Sequence, residues 1–203
     1  MSDETVVLGP DGQPRCKWCS GSDLFWDYHD KEWGFPVKED QRLFEKLCLE
    51  SFQSGLSWLT ILKKRDSFRT AFENFDFHKV ALFTEEDVRR LLENSDIIRH
   101  RGKIEAVINN AQKAIDLVAF EGSLAHYFWK HEPKERSDIE PMSISFSDVS
   151  TRISKDLKKK GWKFVGPTTI YSFMQAMGLI NDHAHDCVLR SKIDMARSDF
   201  IRP

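Results

Sequence analysis

Apolar residues recur at three- and four-residue spacings along nearly the whole chain, and this rhythm restricts it to packed helices. In DQRLFEKLCLESF the spacing puts Leu43, Phe44, Leu47 and Cys48 on one face, behind Asp40 as a capping residue. TEEDVRRLLEN opens at Thr84 with acidic residues in its first turn, which suits the positive end of a helix. GKIEAVINNAQKAIDLV repeats Ile104, Val107, Ile108, Ala111 and Ile115. SDVSTRISKDLKKKG runs from a Ser147 cap to Gly161, a natural stop, and GPTTIYSFMQAMG sets Pro167 at a first helical position with Gly178 at the end. No period-2 run is long enough to argue a sheet. The expected fold class is all-α, a single domain over residues 1–203. Tails at 1–13 and 190–203 are expected to be disordered, and 131–147 reads as a polar connection.

A chain of 203 residues, 40% hydrophobic and 31% charged, belongs with soluble globular proteins and is long enough to bury a core. It has no apolar run of transmembrane length, so no membrane partner is expected. The start, MSDETVVLGPDGQPR, is acidic and lacks the pattern of a secretory signal. Cys16, Cys19, Cys48 and Cys187 are therefore expected as reduced thiols of a cytoplasmic protein, with Cys48 in the core. The net charge of −2 excludes nucleic-acid binding by overall charge. Local patches differ: KDLKKKGWK carries five lysines against one aspartate, and RHRGK at 99–103 is also basic. Each is either a phosphate-attracting patch or a solvated helix face.

The densest chemistry lies in GLINDHAHDC, residues 178–187. On a helix His183 and Cys187 form a ligand pair, with His185 directed away. A structural zinc needs two more ligands, and CKWCSGSDLFWDYHD offers Cys16, Cys19 and His29. Spacing alone prefers Cys16 with Cys19, a Cys3His site that leaves His29 over. Cys16, His29, His183 and Cys187 make an equally good Cys2His2 site, and ordinary unliganded cysteines and histidines are a third reading. A zinc deaminase is excluded, because its H-x-E precedes its P-C-x-x-C, whereas here the order is reversed and the spacing is His29-x2-Glu32.

LKKKGWKFVGPTTIYSF reads as helix, a turn bracketed by Gly161 and Gly166, then a helix opening at Pro167. Backbone N–H groups at such a turn suit a phosphate, so with Lys163 nearby it is a candidate clamp on a DNA backbone, blind to sequence. A plain αα-hairpin is the alternative. Trp18, Phe25, Trp26, Tyr28 and Trp33 fall within sixteen residues, and Trp58 follows LESFQSGLS. Singly each suits a core; beside a DNA clamp they suggest a pocket where a base is stacked. Glu50, directly after the apolar KLCL, is a candidate polar handle for the base edge. Leu56, on a turn near these residues, is a candidate to fill the gap left by an extracted base.

The blocks YHDKEWG, LESFQSGLSWLTILKKR, IIRHRGKIEAVINNA and KKKGWKFVGPTTIYSFMQAMGLINDH, with the final His-x3-Cys, together resemble the type I 3-methyladenine DNA glycosylases of bacteria. The resemblance runs from about Arg15 to Cys187. It implies a helix-hairpin-helix glycosylase fold and hydrolysis of the N-glycosidic bond of 3-methyladenine in alkylated double-stranded DNA. The products are the free base and an abasic site. It implies one structural zinc on Cys16, His29, His183 and Cys187, tying the two chain ends together, with Cys19 as an extra. It implies Glu50 as the catalytic-site carboxylate that recognises the base, Tyr28 and Trp58 packing against the base, and Trp18 nearby. Phe25 falls where the family often has a tyrosine, so weaker base binding is expected there. An aspartate near the position of Asp182 stabilises an oxocarbenium sugar in related superfamilies; here, beside a zinc ligand, Asp182 is more simply read as a hydrogen-bonding neighbour of the metal site. The expected state is a monomer. A non-enzymatic DNA-binding module and a glycosylase of different alkylated-base preference are the competing readings.

Overall fold

The structure, a computed structural model, describes residues 5–134 and 139–203. A two-stranded antiparallel hairpin, β1 (Val6–Leu8) and β2 (Pro14–Cys16), comes first. The helices follow as α1 (Asp23–Lys31), α2 (Asp40–Gln53), α3 (Trp58–Lys63), α4 (Arg65–Ala71), α5 (Phe77–Val80) and α6 (Glu85–Glu93). Then come α7 (Arg101–Glu121), α8 (Leu124–Trp129), α9 (Asp148–Lys159), α10 (Pro167–Ala176) and α11 (Arg190–Asp199).

Helix ends follow local chemistry. Ser147 accepts from the Ser150 N–H at 3.1 Å to start α9, and the Asp87 carboxylate reaches back to the Thr84 N–H at 2.9 Å to start α6. Pro167 is the first residue of α10, where its missing N–H costs nothing. Asp40 does not cap its own helix. Glu39 holds that position, and Asp40 instead accepts from the Ala125 N–H at 2.9 Å, fixing the start of α8.

Packing makes α2 the centre. Every residue from Leu43 to Phe52 is buried, because α3, α7, α8 and α10 all pack around it. A helix enclosed on all sides must pair any charge it carries. Glu45 accordingly meets Arg42 and Arg69, each at 2.9 Å. Phe52 extends into a cluster with Phe68 and Phe72. Each such ring contributes roughly 1.5–3 kcal/mol by burial. Cys48 lies in this core, as its position in the apolar rhythm predicts.

Three expectations need correction. The fold is helical but not purely so, and part of the expected N-terminal tail is β1; strands of three residues are too short to leave a period-2 signal. Residues 1–4 of that tail lie outside the described residues. The expected C-terminal tail is largely α11, docked by the buried Ile193 and by Arg197, which pairs with Glu132 at 2.8 Å. One apolar anchor among charged residues leaves no periodicity to read. Residues 181–189 are not helical, so His183 and Cys187 are not joined by helical spacing. The 131–147 connection carries no helix among its described residues, and 135–138 lie outside them. No helix of the described residues is long and apolar enough to cross a membrane.

Candidate functional site

β2 supplies Cys16, α1 supplies His29, and the turn before α11 supplies Cys187; their ligand atoms all lie within 4.8 Å of one another. The chain ends meet there because the Val188 N–H donates to the Pro14 carbonyl at 2.9 Å. His183 stands beside the trio, its ring centre 5.0 Å from that of His29. Gly34 makes room for it: at φ +87° the backbone favours glycine, and a Cβ there would lie 2.7 Å from His183 Cε1. The outward nitrogens are held by other groups. His29 Nδ1 meets Asp30 Oδ1 at 2.8 Å, Asp30 is gripped by Arg15 at 2.8 Å, and His183 Nδ1 meets Asn181 Oδ1 at 3.0 Å. That leaves Nε2 of each ring for the cluster. The buried Nε2 of His183 has no partner among the described residues.

Protonation follows from this enclosure. Burial, with His29 beside it, lowers the His183 imidazole to about 3. The two thiols share a proton: the hydrogen bond from Cys16 lowers Cys187, and the same bond raises Cys16. A neutral imidazole and a thiolate are the forms that bind a soft divalent ion. Cys19 is buried outside the cluster, donates its S–H to the Cys16 carbonyl at 2.9 Å, and is pushed up to about 12 by burial. Cys19, which spacing pairs with Cys16, is not among the residues whose ligand atoms converge there. His185 is exposed and faces Glu140 at 3.3 Å. Asp182 precedes His183, but its carboxylate hydrogen-bonds none of the candidate ligands. Its carboxylate accepts from Gln175 at 2.6 Å and from the Met142 N–H at 3.1 Å, two residues of the adjacent pocket.

That pocket is a cavity of ≈ 280 Å³ lined by Trp18, Tyr28, Trp33, Glu50, Trp58 and Gln175, among others. Glu50 enters from near the end of α2 and is only 7% exposed. The Tyr28 and Trp58 rings lie 5.4 Å apart at 48°. Trp18 stands edge-on to Trp33 at 5.0 Å, and Trp33 in turn touches His183 at 4.5 Å, so pocket and Cys–His cluster share a wall. The indole N–H groups of Trp18 and Trp58 are buried without partners among the described residues. Phe25 does not line the cavity; it packs edge-on against Trp18 at 5.8 Å, one ring further out. Burial and the nearby Glu50 push the Tyr28 phenol up, so it stays protonated. A larger cavity of ≈ 770 Å³ lies between α11 and residues 129–149. Its Arg197 and Arg202 are tied to Glu132, and Trp129, Tyr171 and Asp182 are among its lining residues.

Sequence reasoning passed over Lys46. Its ammonium lies 2.7 Å from Glu50 Oε1 and donates to the Tyr28 hydroxyl oxygen at 2.6 Å. The four-residue spacing of Lys46 and Glu50 on one helix was the available signal.

The turn between α9 and α10 is exposed around the buried Trp162. α7 braces it from behind. Asn109 donates to the Gly161 carbonyl at 2.9 Å, and Asn110 pairs with both backbone groups of Lys163, at 2.8 and 2.9 Å. The Lys163 amide is thereby used within the fold, and its side chain, the part expected to assist at a phosphate, remains exposed. The amides of Phe164, Val165 and Gly166 donate to no described residue. A Cβ added to Gly166 would meet nothing within 4 Å, so this side of the turn is open. RHRGK is not a free basic patch: Arg101 is bound to Glu85 and Glu105, and Lys103 turns inward. There it donates to the carbonyls of Phe52 and Ser54 at 2.9 and 2.6 Å, fixing the turn that carries Leu56, which is 41% exposed.

Comparison with known proteins places these features together. The family described as methyladenine glycosylase matches residues 18–191. DNA-3-methyladenine glycosylase 1 of Escherichia coli is 48% identical over 181 residues, 85% of this chain and 95% of its own. DNA-3-methyladenine glycosylase of Haemophilus influenzae is 44% identical over 177 residues, 85% of this chain and 96% of its own. The solved structure of 3-methyladenine DNA glycosylase I from Staphylococcus aureus, which addresses its 3-methyladenine recognition, superposes with a TM-score of 0.82 at 38% identity, covering 87% of this chain and 96% of that one.

Proposed function

This chain belongs to the methyladenine glycosylase family, and from that premise we infer that it is a DNA-3-methyladenine glycosylase. It hydrolyses the N-glycosidic bond of 3-methyladenine in alkylated double-stranded DNA, releasing the base and leaving an abasic site. Relatives named as glycosylases along nearly their whole length argue against a non-enzymatic binding module.

Methylation at N3 makes the attached adenine cationic. When the bond from the base nitrogen to C1′ breaks, its electron pair stays with the base, which departs neutral, and water adds to C1′ with loss of a proton. Such a leaving group needs little acid catalysis. What the protein supplies is a place for the base outside the helix. In this reading Glu50 accepts from the exocyclic amine and supplies negative charge. Tyr28 and Trp58 pack against the ring, contributing about 0.5–2 kcal/mol per cation–π contact. The free indole N–H groups of Trp18 and Trp58 are the donors for acceptor atoms of the base. Phe25 acts only through Trp18.

The observation that carries this reading is a buried carboxylate facing an aromatic pair in a cavity of ≈ 280 Å³. On the DNA side, the amides of Phe164 and Gly166 before α10 contact phosphates, with the side chains of Lys163 and its neighbours adding attraction. Gly161 and Gly166 set the turn, and Leu56 fills the space left by the extracted base. The fold is then of the helix-hairpin-helix glycosylase type, as one domain.

Cys16, His29, His183 and Cys187 are the ligands proposed for one structural Zn²⁺ per chain. The donor set fits: two thiols, two imidazoles each oriented by an outer partner, and a His183 Nε2 left without one. Such an ion supplies no chemistry to the reaction; it ties β2 and α1 to the segment before α11. The enzyme works as a monomer in the bacterial cytoplasm. Release of labelled bases from methylated duplex DNA tests the reading. 3-Methyladenine should be released and unmodified adenine retained; no release would overturn it.

A further inference from the structure

Lys46 is a buried cation that the proposed reaction does not use. It does not line the cavity but stands behind it, and it touches three groups that face the base. Its ammonium lies 2.7 Å from Glu50 Oε1, 2.6 Å from the Tyr28 hydroxyl oxygen and 3.4 Å from the centre of the Trp58 ring. We propose that Lys46 is a specificity-determining residue. It offsets the charge of Glu50, so that the pocket selects bases by shape and hydrogen bonding and only weakly by positive charge.

The proposal rests on the reading of this cavity as the base pocket, and its physical basis is local. A lone buried carboxylate attracts a cationic base strongly, because little solvent screens it. An ammonium at hydrogen-bond distance from that carboxylate repels the same base almost as strongly. The Trp58 face is also committed, since its ring already attracts Lys46. Lys46 donates to the Tyr28 oxygen, so the phenol proton points elsewhere and is free to donate in turn. The other charged groups around Lys46 are Glu32, Arg65 and Arg42. Glu32 is itself held by Arg65 at 2.8 Å and Arg42 at 3.2 Å, so Glu50 is the carboxylate that Lys46 answers. Burial also lowers the Lys46 ammonium below the usual lysine range, against the pull of Glu50.

The test compares two ligands of nearly one shape. Free 3-methyladenine is neutral, whereas the adeninium methylated at both N3 and N9 is a cation with a methyl in place of the sugar. Their affinities are measured by tryptophan fluorescence for wild type, Lys46→Met and Lys46→Arg. Lys46→Met should raise the ratio of cation to neutral affinity on the order of 10-fold or more, and Lys46→Arg should keep the wild-type ratio. A purely structural role would shift both affinities together, and an unchanged ratio in Lys46→Met would overturn the inference. Should that variant not fold, wild type alone decides. Its ratio should climb with rising pH as Lys46 loses its proton, while a ratio that stays flat up to the usual lysine range would overturn the inference. Wild type binding neither ligand would overturn the pocket reading itself, and this inference with it.

Discussion

Tyr28 comes from α1, Glu50 from α2 and Trp58 from α3, and they meet in a cavity open to solvent on one side and backed by a buried ion pair. The turn at 161–166 is six consecutive residues anchored by the buried Trp162 and Val165, and its open groups are backbone amides. The pocket works through buried side chains whose loss nothing nearby can replace. The hairpin works through exposed main chain, where a substituted side chain leaves the amides in place and salt screens the remaining charges. Single substitutions should therefore be severe around the pocket and mild on the hairpin.

The strongest challenge to this contrast is to remove the support behind the pocket wall. Replacing His29 by Ala or Cys187 by Ser should abolish the bound zinc, one ion per chain by metal analysis. It should also lower the melting temperature by on the order of 10 °C, as a loss of a few kcal/mol does at this size. Because Trp33 touches His183, 3-methyladenine binding should fall as well. Cys19→Ser should change neither zinc nor melting temperature. Zinc lost from the Cys19 variant but kept by the His29 variant would move the site to the Cys3His arrangement.

Inside the pocket, Trp58→Ala or Tyr28→Ala should weaken inhibition of excision by free 3-methyladenine. One stacking surface contributes about 1–3 kcal/mol, or roughly 5- to 150-fold. Equal inhibition of the variants would place the base elsewhere.

Acid separates the buried region from the surface in another way. His183 is lowered from 6.5 to about 3 by burial, so its neutral form contributes stability in full above pH 6.5. That contribution is lost as pH falls toward the folded value, by about 2 kcal/mol between pH 6.5 and pH 5. Thermal melts of the zinc-free protein should show a steeper acid decline for wild type than for His183→Gln; parallel declines would contradict it.

On the hairpin, Lys163→Ala should weaken binding to abasic-site DNA alike for all sequences and reduce the salt slope by about 1. Leu56→Ala should give the smallest change, a loss of binding without a change in salt slope. An unchanged salt slope for Lys163→Ala would move the clamp away from this turn.

The same contrast explains what the sequence revealed. The hairpin is contiguous, so its glycines, Pro167 and lysines are legible in one short stretch. Its bracing is not: Asn109 and Asn110 lie in the middle of α7, where nothing marks them as partners of Gly161 and Lys163. The helices of the core were legible from periodicity, while β1 and α11 were hidden by short length and by a single apolar anchor. Residue types for the cluster were visible at both chain ends. Their geometry was not, because the helical spacing assumed for His183 and Cys187 is replaced by a turn that only Gly34 leaves room for. Lys46 was overlooked because a lysine on an amphipathic helix ordinarily faces water, whereas α2 is enclosed on every side.

Single-turnover release of 3-methyladenine by wild type and Glu50→Gln tests the central claim, that the buried Glu50 carboxylate recognises the base by accepting from its exocyclic amine. The substitution keeps the size of the side chain and removes its charge. Excision should fall on the order of 10- to 10³-fold, the scale of one preorganised polar contact. Excision by Glu50→Gln at the wild-type rate would contradict the account.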